Sequence, residues 1–337
     1  MGVPGRLLFC LILGMGLCAP GWADGIGGPA SPAAAVGAGA PPVELDQFRL
    51  IPDVPSYIWY HGCGPTAMGM VVGYWDAHGF DRLIPGSNDW QSNQQAIKDV
   101  IASPGHVADY ALYDGVNDAD PNQWPHSEPY PDLSELDPSA AHQADCLADW
   151  AQSSWSSRGL KYGWSYMSTH PGAMMAYAWM AGQYLSNGYE RQYYAGLWDE
   201  LRSAIDAGRP VELLVDSNAD GRSDHFVVAI GYDSSLGEER YACYNTWDHE
   251  VHWFEFAPLG AGQPWGVYGA VFFQPVPEPT LLLPLVFGMI VMLRRRNGSP
   301  RRVPDASGRR LILGVARRHP CRRCSEPRPA GAKDGRR

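Results

Sequence analysis

The strongest constraint on this 337-residue chain is that only its middle has the composition of a packed domain. Met1 to Ala23 combines Arg6 with an apolar run from Leu7 to Leu17 and small residues after it, which is the pattern of a secretory signal peptide. Residues 24–42 are rich in Gly, Ala and Pro and nearly uncharged, which predicts a flexible linker. The folded domain is therefore expected over residues 43–274, enough chain to bury a substantial core.

The charge of the chain argues against nucleic acid as a partner. There are 26 Lys and Arg residues against 36 Asp and Glu residues, a net charge of −10. Much of the positive charge lies beyond residue 293, so the predicted domain is more acidic than the chain as a whole. An acidic surface repels nucleic acid and anionic lipid, and it suits divalent cations.

Cysteine usage does not indicate a disulfide framework. Four of the seven cysteines lie in the two end segments: Cys10, Cys18, Cys321 and Cys324. The predicted domain keeps Cys63, Cys146 and Cys243, and an odd number leaves at least one free thiol. A bridge between Cys146 and Cys243 is an arrangement that the sequence allows.

Three features follow one another near the C-terminus. A Pro277, Glu278 and Pro279 motif precedes an apolar run from Thr280 to Leu293, and an Arg cluster follows at residues 294–296. This order resembles the PEP-CTERM sorting signal of Gram-negative bacteria, which we place at residues 275–296 with a transmembrane helix. The resemblance implies a processing enzyme that recognises the Pro-Glu-Pro motif, and the arginines would stay in the cytoplasm.

The two ends together predict the location of the protein. It would be exported, held in the inner membrane as a precursor, and then delivered to the outer surface or an extracellular matrix. Residues 297–337 are rich in Arg, Gly and Pro and predict a disordered basic tail. The Cys321-x-x-Cys324 pair lacks the second pair that a zinc site needs, so the tail is expected to be unstructured.

Cys63 has the surroundings of a reactive cysteine. Gly62 and Gly64 flank it, and Pro65 follows where the first turn of a helix tolerates proline. Residues 66–77 have the pattern of a buried helix whose small side chains would permit close packing. The thiol would then lie at a helix N-terminus, where the helix dipole favours the thiolate.

A histidine and an asparagine follow at the ends of predicted strands. Residues 198–207 predict an amphipathic helix that Gly208 caps, and Val211 to Val215 predict a short strand. His225 opens a second apolar strand that continues to Tyr232. A third strand ends in a polar cluster, Asn245-Thr-Trp-Asp248.

This combination resembles papain-like cysteine peptidases over roughly residues 50–256, and the Gly-Cys-Gly-Pro-Thr-Ala motif resembles the branch related to bacteriocin-leader-processing peptidases. The resemblance implies an α+β fold, with a helical half, an antiparallel sheet and the active-site cleft between them. It also implies Cys63 as nucleophile, His225 as general base and Asn245 as the residue that orients the imidazole. Asp248 is the alternative orienting residue.

One position departs from the family pattern. Relatives carry a Gln six residues before the nucleophile as a donor to the oxyanion, and Tyr57 stands at that position here. The Tyr57 hydroxyl, His61 and the backbone N–H of Cys63 are the remaining candidate donors. Loss of one such donor costs other hydrolases about a hundredfold or more in rate.

The predicted function is that of an exported thiol peptidase or amidase, acting on a peptide or protein substrate through an acyl-enzyme. No cofactor is required for this chemistry. One alternative is a catalytically weak papain-like module that binds peptide or components of a cell-surface or exopolysaccharide matrix. Another is a structural matrix protein, for which the sorting signal alone would suffice.

An acidic turn precedes His225. Its oxygen-bearing side chains are Asp216, Asn218, Asp220 and Asp224. Alternating oxygen donors with Gly221 for a sharp turn resemble the acidic half of a calcium loop, although Val227 stands where a closing Glu would be. A solvated acidic turn is the alternative. Calcium bound here would stiffen the loop that delivers His225.

Overall fold

The computed structural model describes residues 25–27, 47–110 and 131–277. The predicted signal peptide, the apolar run of the sorting signal and the basic tail lie outside these residues. Within the described ranges, no helix combines the length and the apolar character needed to cross a bilayer.

Most helices lie in the first half of the described chain, and most strands of the main sheet lie in the second half. The helices are α1 Cys63–Ala77, α2 Trp90–Ile101, α3 Pro104–Tyr110, α4 Leu133–Leu136, α5 Leu147–Ala151, α6 His170–Gly182 and α7 Leu197–Asp206. The strands are β1 Ile26–Gly27, β2 Phe48–Leu50, β3 Ser165–Tyr166, β4 Ser186–Gln192, β5 Val211–Asp216, β6 His225–Asp233, β7 Arg240–Tyr244, β8 His252–Glu255 and β9 Gly266–Pro275. Short 3₁₀ turns occupy Ser156–Arg158 and Met167–Thr169.

The main sheet has seven strands, and every pairing between them is antiparallel. Six strands follow the order β4-β9-β5-β6-β7-β8, and β2 pairs with the last residues of β6. The predicted α+β fold with an antiparallel sheet is therefore confirmed. Strand β6 is buried along its whole length, because it lies in the middle of the sheet.

Helix α1 is the central helix of the domain. Its residues from Cys63 to Tyr74 are all buried, since the helix packs against β5 and β6 as well as α2, α5 and α6. The predicted close packing is present at Gly69, where an added Cβ would lie 2.8 Å from the Ile101 side chain. The helix therefore fixes its first residue, Cys63, against the sheet.

The N-terminal segment departs from the linker prediction at residues 25–27. Ile26–Gly27 forms β1, which pairs antiparallel with β3 in a separate two-stranded sheet. Gly25 and Gly27 are buried. The composition had suggested a flexible chain because it offers few apolar side chains, but here the backbone itself is covered by the domain.

The three cysteines of the domain are free thiols. Cys63 begins α1, Cys146 precedes α5 and Cys243 lies in β7, and all three are buried. The bridge that the sequence allowed between Cys146 and Cys243 is not formed.

Candidate active site

Cys63 is the first residue of α1 and is fully buried. The chain reaches it through Gly62, whose φ of 137° lies in a region that L side chains rarely adopt. An added Cβ on Gly62 would lie 2.7 Å from the carbonyl oxygen of Gly163. Glycine is required at this position because the backbone turns sharply while another loop crosses it closely.

Strand β6 brings residues 225 and 226 to the start of α1. The backbone N–H of Phe226 forms a hydrogen bond with the Cys63 thiol, and so does the N–H of Gly64. His225 is the first residue of the strand and precedes Phe226 directly. The predicted nucleophile therefore lies beside the backbone that carries the predicted base.

The His225 ring is held by the segment that follows β7. Its Nε2 atom lies 2.6 Å from the main-chain oxygen of Asn245. A carbonyl oxygen only accepts hydrogen bonds, so Nε2 carries a proton. The ring stacks on Trp247 with the centroids 4.3 Å apart, and the edge of Trp265 lies nearby. The Asn245 carbonyl and the two tryptophans thus fix the orientation of the imidazole.

The chain matches the family described as Peptidase_C39 like over residues 51–257. This match covers more than half of the sequence and includes Cys63, His225 and Asn245. The chain belongs to this family. No curated protein matches it. Membership of the peptidase family supports a papain-like cysteine peptidase in general. Strand β1 lies outside the matched residues.

The side chain of Asn245 does not contact His225 in the way that the papain-like pattern implied. Its side-chain oxygen accepts hydrogen bonds from the backbone N–H groups of Trp247 and Asp248, at 2.9 and 3.3 Å. The contact with His225 uses the main-chain carbonyl instead. The side chain is engaged in this way because an asparagine at a turn bonds readily to the backbone two residues ahead, and the role of Asn245 in orienting His225 stays a prediction.

The alternative orienting residue, Asp248, faces another histidine. Its Oδ1 atom lies 2.8 Å from Nε2 of His252 and accepts a hydrogen bond from the N–H of Glu250. The side chain is 45% exposed. These contacts place Asp248 in a surface turn and favour Asn245 as the residue that holds His225.

Tyr57 does not stand where an oxyanion donor of this peptidase family is needed. Its hydroxyl donates to the carbonyl of Asn88 at 2.8 Å, and an added Cβ on Gly73 would lie 2.3 Å from the same oxygen. Gly73 is ten residues after Cys63 in α1, which corresponds to about 15 Å along the helix. The prediction of Tyr57 as donor is therefore wrong, since the spacing in sequence does not fix the direction of the side chain.

His61 keeps the hydrogen needed for a donor role. Burial, together with the charges of His106 and Lys98, lowers the pKa of His61 to about 4, so the imidazole is neutral at pH 7. The ring packs edge-on against Tyr60 and Tyr162. A neutral imidazole carries one N–H group, and His61 stays a predicted donor beside the backbone N–H of Cys63.

Burial is the main influence on the pKa of the Cys63 thiol. It raises the pKa well above its ordinary value, against the lowering effect of the Phe226 and Gly64 amides, and the charges of Asp224 and Glu212 raise it further. The sequence had predicted a thiolate favoured by the helix dipole. Removal of water from the sulfur is the largest influence on this pKa, because a buried charge loses its hydration energy.

A buried hydrogen-bonded chain next to Cys63 was not predicted. The Ser165 hydroxyl lies 2.8 Å from Nε2 of His170, and Nδ1 of His170 lies 2.9 Å from the Glu212 carboxyl. All three residues are fully buried. An added Cβ on Gly64 would lie 2.5 Å from the Ser165 hydroxyl oxygen. The available signal was Glu212, a charged residue inside an otherwise apolar strand.

A second buried cluster surrounds Asp149 in the helical half. His106 and Cys146 contact its carboxylate at 2.7 and 3.1 Å, and Nε2 of His142 lies 3.0 Å away. Two groups of three share Asp149 and have donor atoms close enough together to hold a metal ion: His106, Cys146 and Asp149, and His142, Asp145 and Asp149. Burial raises the pKa of the Asp149 carboxyl. The hydrogen bonds from His106 and the backbone outweigh this effect and keep the pKa below its ordinary value. The cluster joins α3 to α5 through this carboxylate.

The acidic turn before His225 is held together by its own hydrogen bonds. Both carboxylate oxygens of Asp216 accept backbone N–H groups, including that of Gly221 at 2.6 Å. Asp224 accepts two hydrogen bonds from Ser217. Asn218 and Asp220 each accept one backbone N–H group within the turn. Calcium binding by this turn stays a prediction.

Proposed function

We propose that the chain is an exported thiol peptidase or amidase in which Cys63 attacks a substrate carbonyl and His225 is the general base. The observation that carries the proposal is the orientation of His225. The Asn245 carbonyl assigns the proton to Nε2, and the neighbouring Phe226 amide contacts the Cys63 sulfur. This arrangement supports Nδ1 as the nitrogen that takes the thiol proton.

His170 is the competing base, and its hydrogen bonds argue against it. In the neutral ring, Nδ1 donates to the Glu212 carboxyl and Nε2 accepts the Ser165 hydroxyl. Both nitrogens are therefore used within the buried chain. His225 instead directly precedes Phe226, whose backbone amide contacts the Cys63 sulfur, and this position supports His225 as the base.

The reaction proceeds through a thioester. His225 takes the proton from Cys63 as the sulfur bonds to the substrate carbonyl carbon, and the carbonyl oxygen gains a negative charge. The backbone N–H of Cys63 in the first turn of α1, together with His61, would donate hydrogen bonds to that oxygen. The imidazolium then gives its proton to the leaving amine as the C–N bond breaks. Water, with His225 again as base, hydrolyses the thioester and restores the thiol.

The partners and location follow from the two ends of the chain. The N-terminal and C-terminal patterns support export, with the Pro277, Glu278 and Pro279 motif as the recognition site of a processing enzyme. The substrate is a peptide or protein, and calcium in the turn at residues 216–224 would be structural. The alternative is a catalytically weak module that binds peptide or matrix polymer, and the fully buried Cys63 thiol favours it.

The test is the rate at which iodoacetamide alkylates Cys63, measured by peptide mass spectrometry between pH 5 and pH 9. We expect His225→Ala to slow alkylation about a hundredfold or more near pH 6. The matched control is His252→Ala, which removes a histidine that contacts Asp248. A wild-type profile that follows an ordinary thiol and is unchanged in His225→Ala would rule out the peptidase and favour the binding module.

A further inference from the structure

A cluster of ionisable side chains in the helical half has no part in the reaction proposed above. Its centre is the carboxyl of Asp149, a buried residue of α5. Nε2 of His142 lies 3.0 Å from Oδ2 of Asp149 and 3.8 Å from Oδ1 of Asp145. One imidazole nitrogen and two carboxyl groups are therefore brought together within a short stretch of chain, residues 142–149.

The spacing of these three donor atoms suits a divalent metal ion. They all lie within 4.8 Å of one another. Zinc binds imidazole nitrogen and carboxylate oxygen at about 2.0–2.2 Å, which places tetrahedral ligand atoms about 3.3–3.5 Å apart. The two distances from Nε2 of His142 lie on either side of that range. Small movements of the side chains would therefore accommodate the ion.

The ring of His142 is oriented as in a metal-binding histidine. Its Nδ1 atom lies 2.6 Å from Oδ2 of Asp109, and the same oxygen accepts the backbone N–H of His142 at 2.7 Å. A carboxylate accepts hydrogen bonds, so Nδ1 carries a proton, and in the neutral ring Nε2 then has the lone pair. A carboxylate behind the ligating imidazole is the usual outer contact of a metal-bound histidine.

The Asp149 carboxylate is also held in place by other side chains. Nδ1 of the buried His106 lies 2.7 Å from Oδ1 of Asp149, and the buried Cys146 thiol lies 3.1 Å from Oδ2. Carboxylates that bind metals are hydrogen-bonded in this manner. His106 and Asp109 both belong to α3, so an ion bound at residues 142–149 would stabilise the contact between α3 and α5.

The charges of the cluster favour a metal ion over a proton on His142. The carboxylates of Asp109, Asp145 and Asp149 lie 2.6, 3.8 and 3.0 Å from its ring nitrogens. In residues 47–110 and 131–277, no Lys or Arg forms an ion pair with any of these carboxylates. A protonated ring supplies one positive charge against three carboxylates, whereas a divalent ion bound to the neutral ring supplies two.

We propose that His142, Asp145 and Asp149 bind a zinc ion, and that Asp109 and His106 position two of these ligands. The donor set of one imidazole and two carboxylates is one that zinc accepts, with water in the fourth position. The ion can enter from solvent, because the side chains of His142 and Asp145 are 20% and 56% exposed.

The first test titrates zinc into the full-length chain in competition with a chromophoric zinc chelator. The cysteines of the two end segments are replaced by serine in every variant so that they do not bind the metal: Cys10, Cys18, Cys321 and Cys324. We expect one zinc ion per chain. His142→Asn and Asp145→Asn should each weaken zinc binding about tenfold or more, and Asp109→Asn should weaken it about tenfold to a hundredfold.

The matched controls of this titration are His249→Asn and Asp199→Asn, which change exposed residues outside the cluster. Both should bind zinc as the wild type does. Absence of zinc binding by the wild type, or an unchanged affinity in either His142→Asn or Asp145→Asn, would overturn the proposal. Asp145 is the more exposed ligand, so its variant keeps the test valid if His142→Asn does not fold.

The second test separates a bound metal ion from a proton on His142. Zinc should raise the midpoint of thermal unfolding of the wild type above its value in a chelator, because an ion that binds the folded chain stabilises it. This increase should be lost in His142→Asn and Asp145→Asn and kept in His249→Asn. If His142→Asn instead lowers the midpoint by the same amount with zinc and with chelator, His142 is a protonated partner of the carboxylates and the proposal is overturned.

Discussion

Nε2 of His225 lies 2.6 Å from the main-chain oxygen of Asn245, while the Asn245 side chain caps the turn that follows. A papain-like pattern assigns the orienting contact to the side chain of this residue. In this protein the backbone supplies the contact, so truncation of the side chain does not remove the acceptor.

Asn245→Ala should therefore retain most of the reactivity of Cys63. The main-chain oxygen stays, and we expect alkylation to slow by less than about tenfold, against about a hundredfold or more for His225→Ala. The lost bonds to the Trp247 and Asp248 amides should cost about 1–2 kcal/mol in the free energy of unfolding. Urea unfolding and alkylation rates check both values, with the exposed Asn187→Ala as control. A loss as large as that of His225→Ala would mean that the side chain itself holds the imidazole.

Tyr57→Phe should affect stability and leave reactivity intact. The substitution removes the hydrogen bond to the Asn88 carbonyl, which should lower the free energy of unfolding by about 1 kcal/mol. The hydroxyl lies toward the other end of α1 from Cys63, so alkylation should stay within about twofold of the wild type. If Tyr57→Phe kept its stability but hydrolysed a peptide substrate about a hundredfold more slowly than the wild type, Tyr57 would again be a candidate donor to the oxyanion.

His61 should make the fold sensitive to acid. Its pKa is lowered by burial to about 4, so below about pH 6.5 the unfolded chain binds a proton that the folded chain does not. This contribution is fully present above pH 6.5 and is lost as the pH falls toward 4. At pH 5 the loss amounts to about 2 kcal/mol.

The measurement for His61 is urea unfolding at pH 5 and pH 7. His61→Asn tolerates the positive φ of 48° and does not titrate, so the difference in stability between the two pH values should shrink by about 2 kcal/mol. The exposed His249→Asn should keep the wild-type difference. An equal difference in wild type and His61→Asn would show that another group controls the response to acid.

Glu212→Gln distinguishes a structural from a catalytic role for the Ser165–His170–Glu212 chain. The buried carboxylate is replaced by an amide of the same shape, which should cost about 1–3 kcal/mol in the free energy of unfolding. Alkylation of Cys63 near pH 6 should change only a few-fold, because His225 is the base. The exposed Glu238→Gln is the control. Loss of alkylation with stability retained would instead make His170 the base.

Local patterns were sufficient for the elements that carry the site. Gly62, Gly64 and Pro65 predicted a helix that begins at the cysteine, and α1 begins at Cys63. The apolar run after residue 224 predicted a strand that opens with His225, and β6 begins there. Gly208 was expected to end α7 and has a φ of 69°. Such signals depend on the conformational limits of a few adjacent residues, which the sequence displays directly.

The sequence by itself therefore determined the fold class, the family resemblance and the residues at the start of α1 and β6. Only the tertiary structure decided that Asn245 uses its backbone oxygen, that Tyr57 points along α1 toward Asn88, and that residues 26 and 27 pair with β3. It also decided that the Cys63 thiol is buried, which raises its pKa. These outcomes depend on side-chain direction and solvent exclusion between segments far apart in the chain, which periodicity and spacing do not specify.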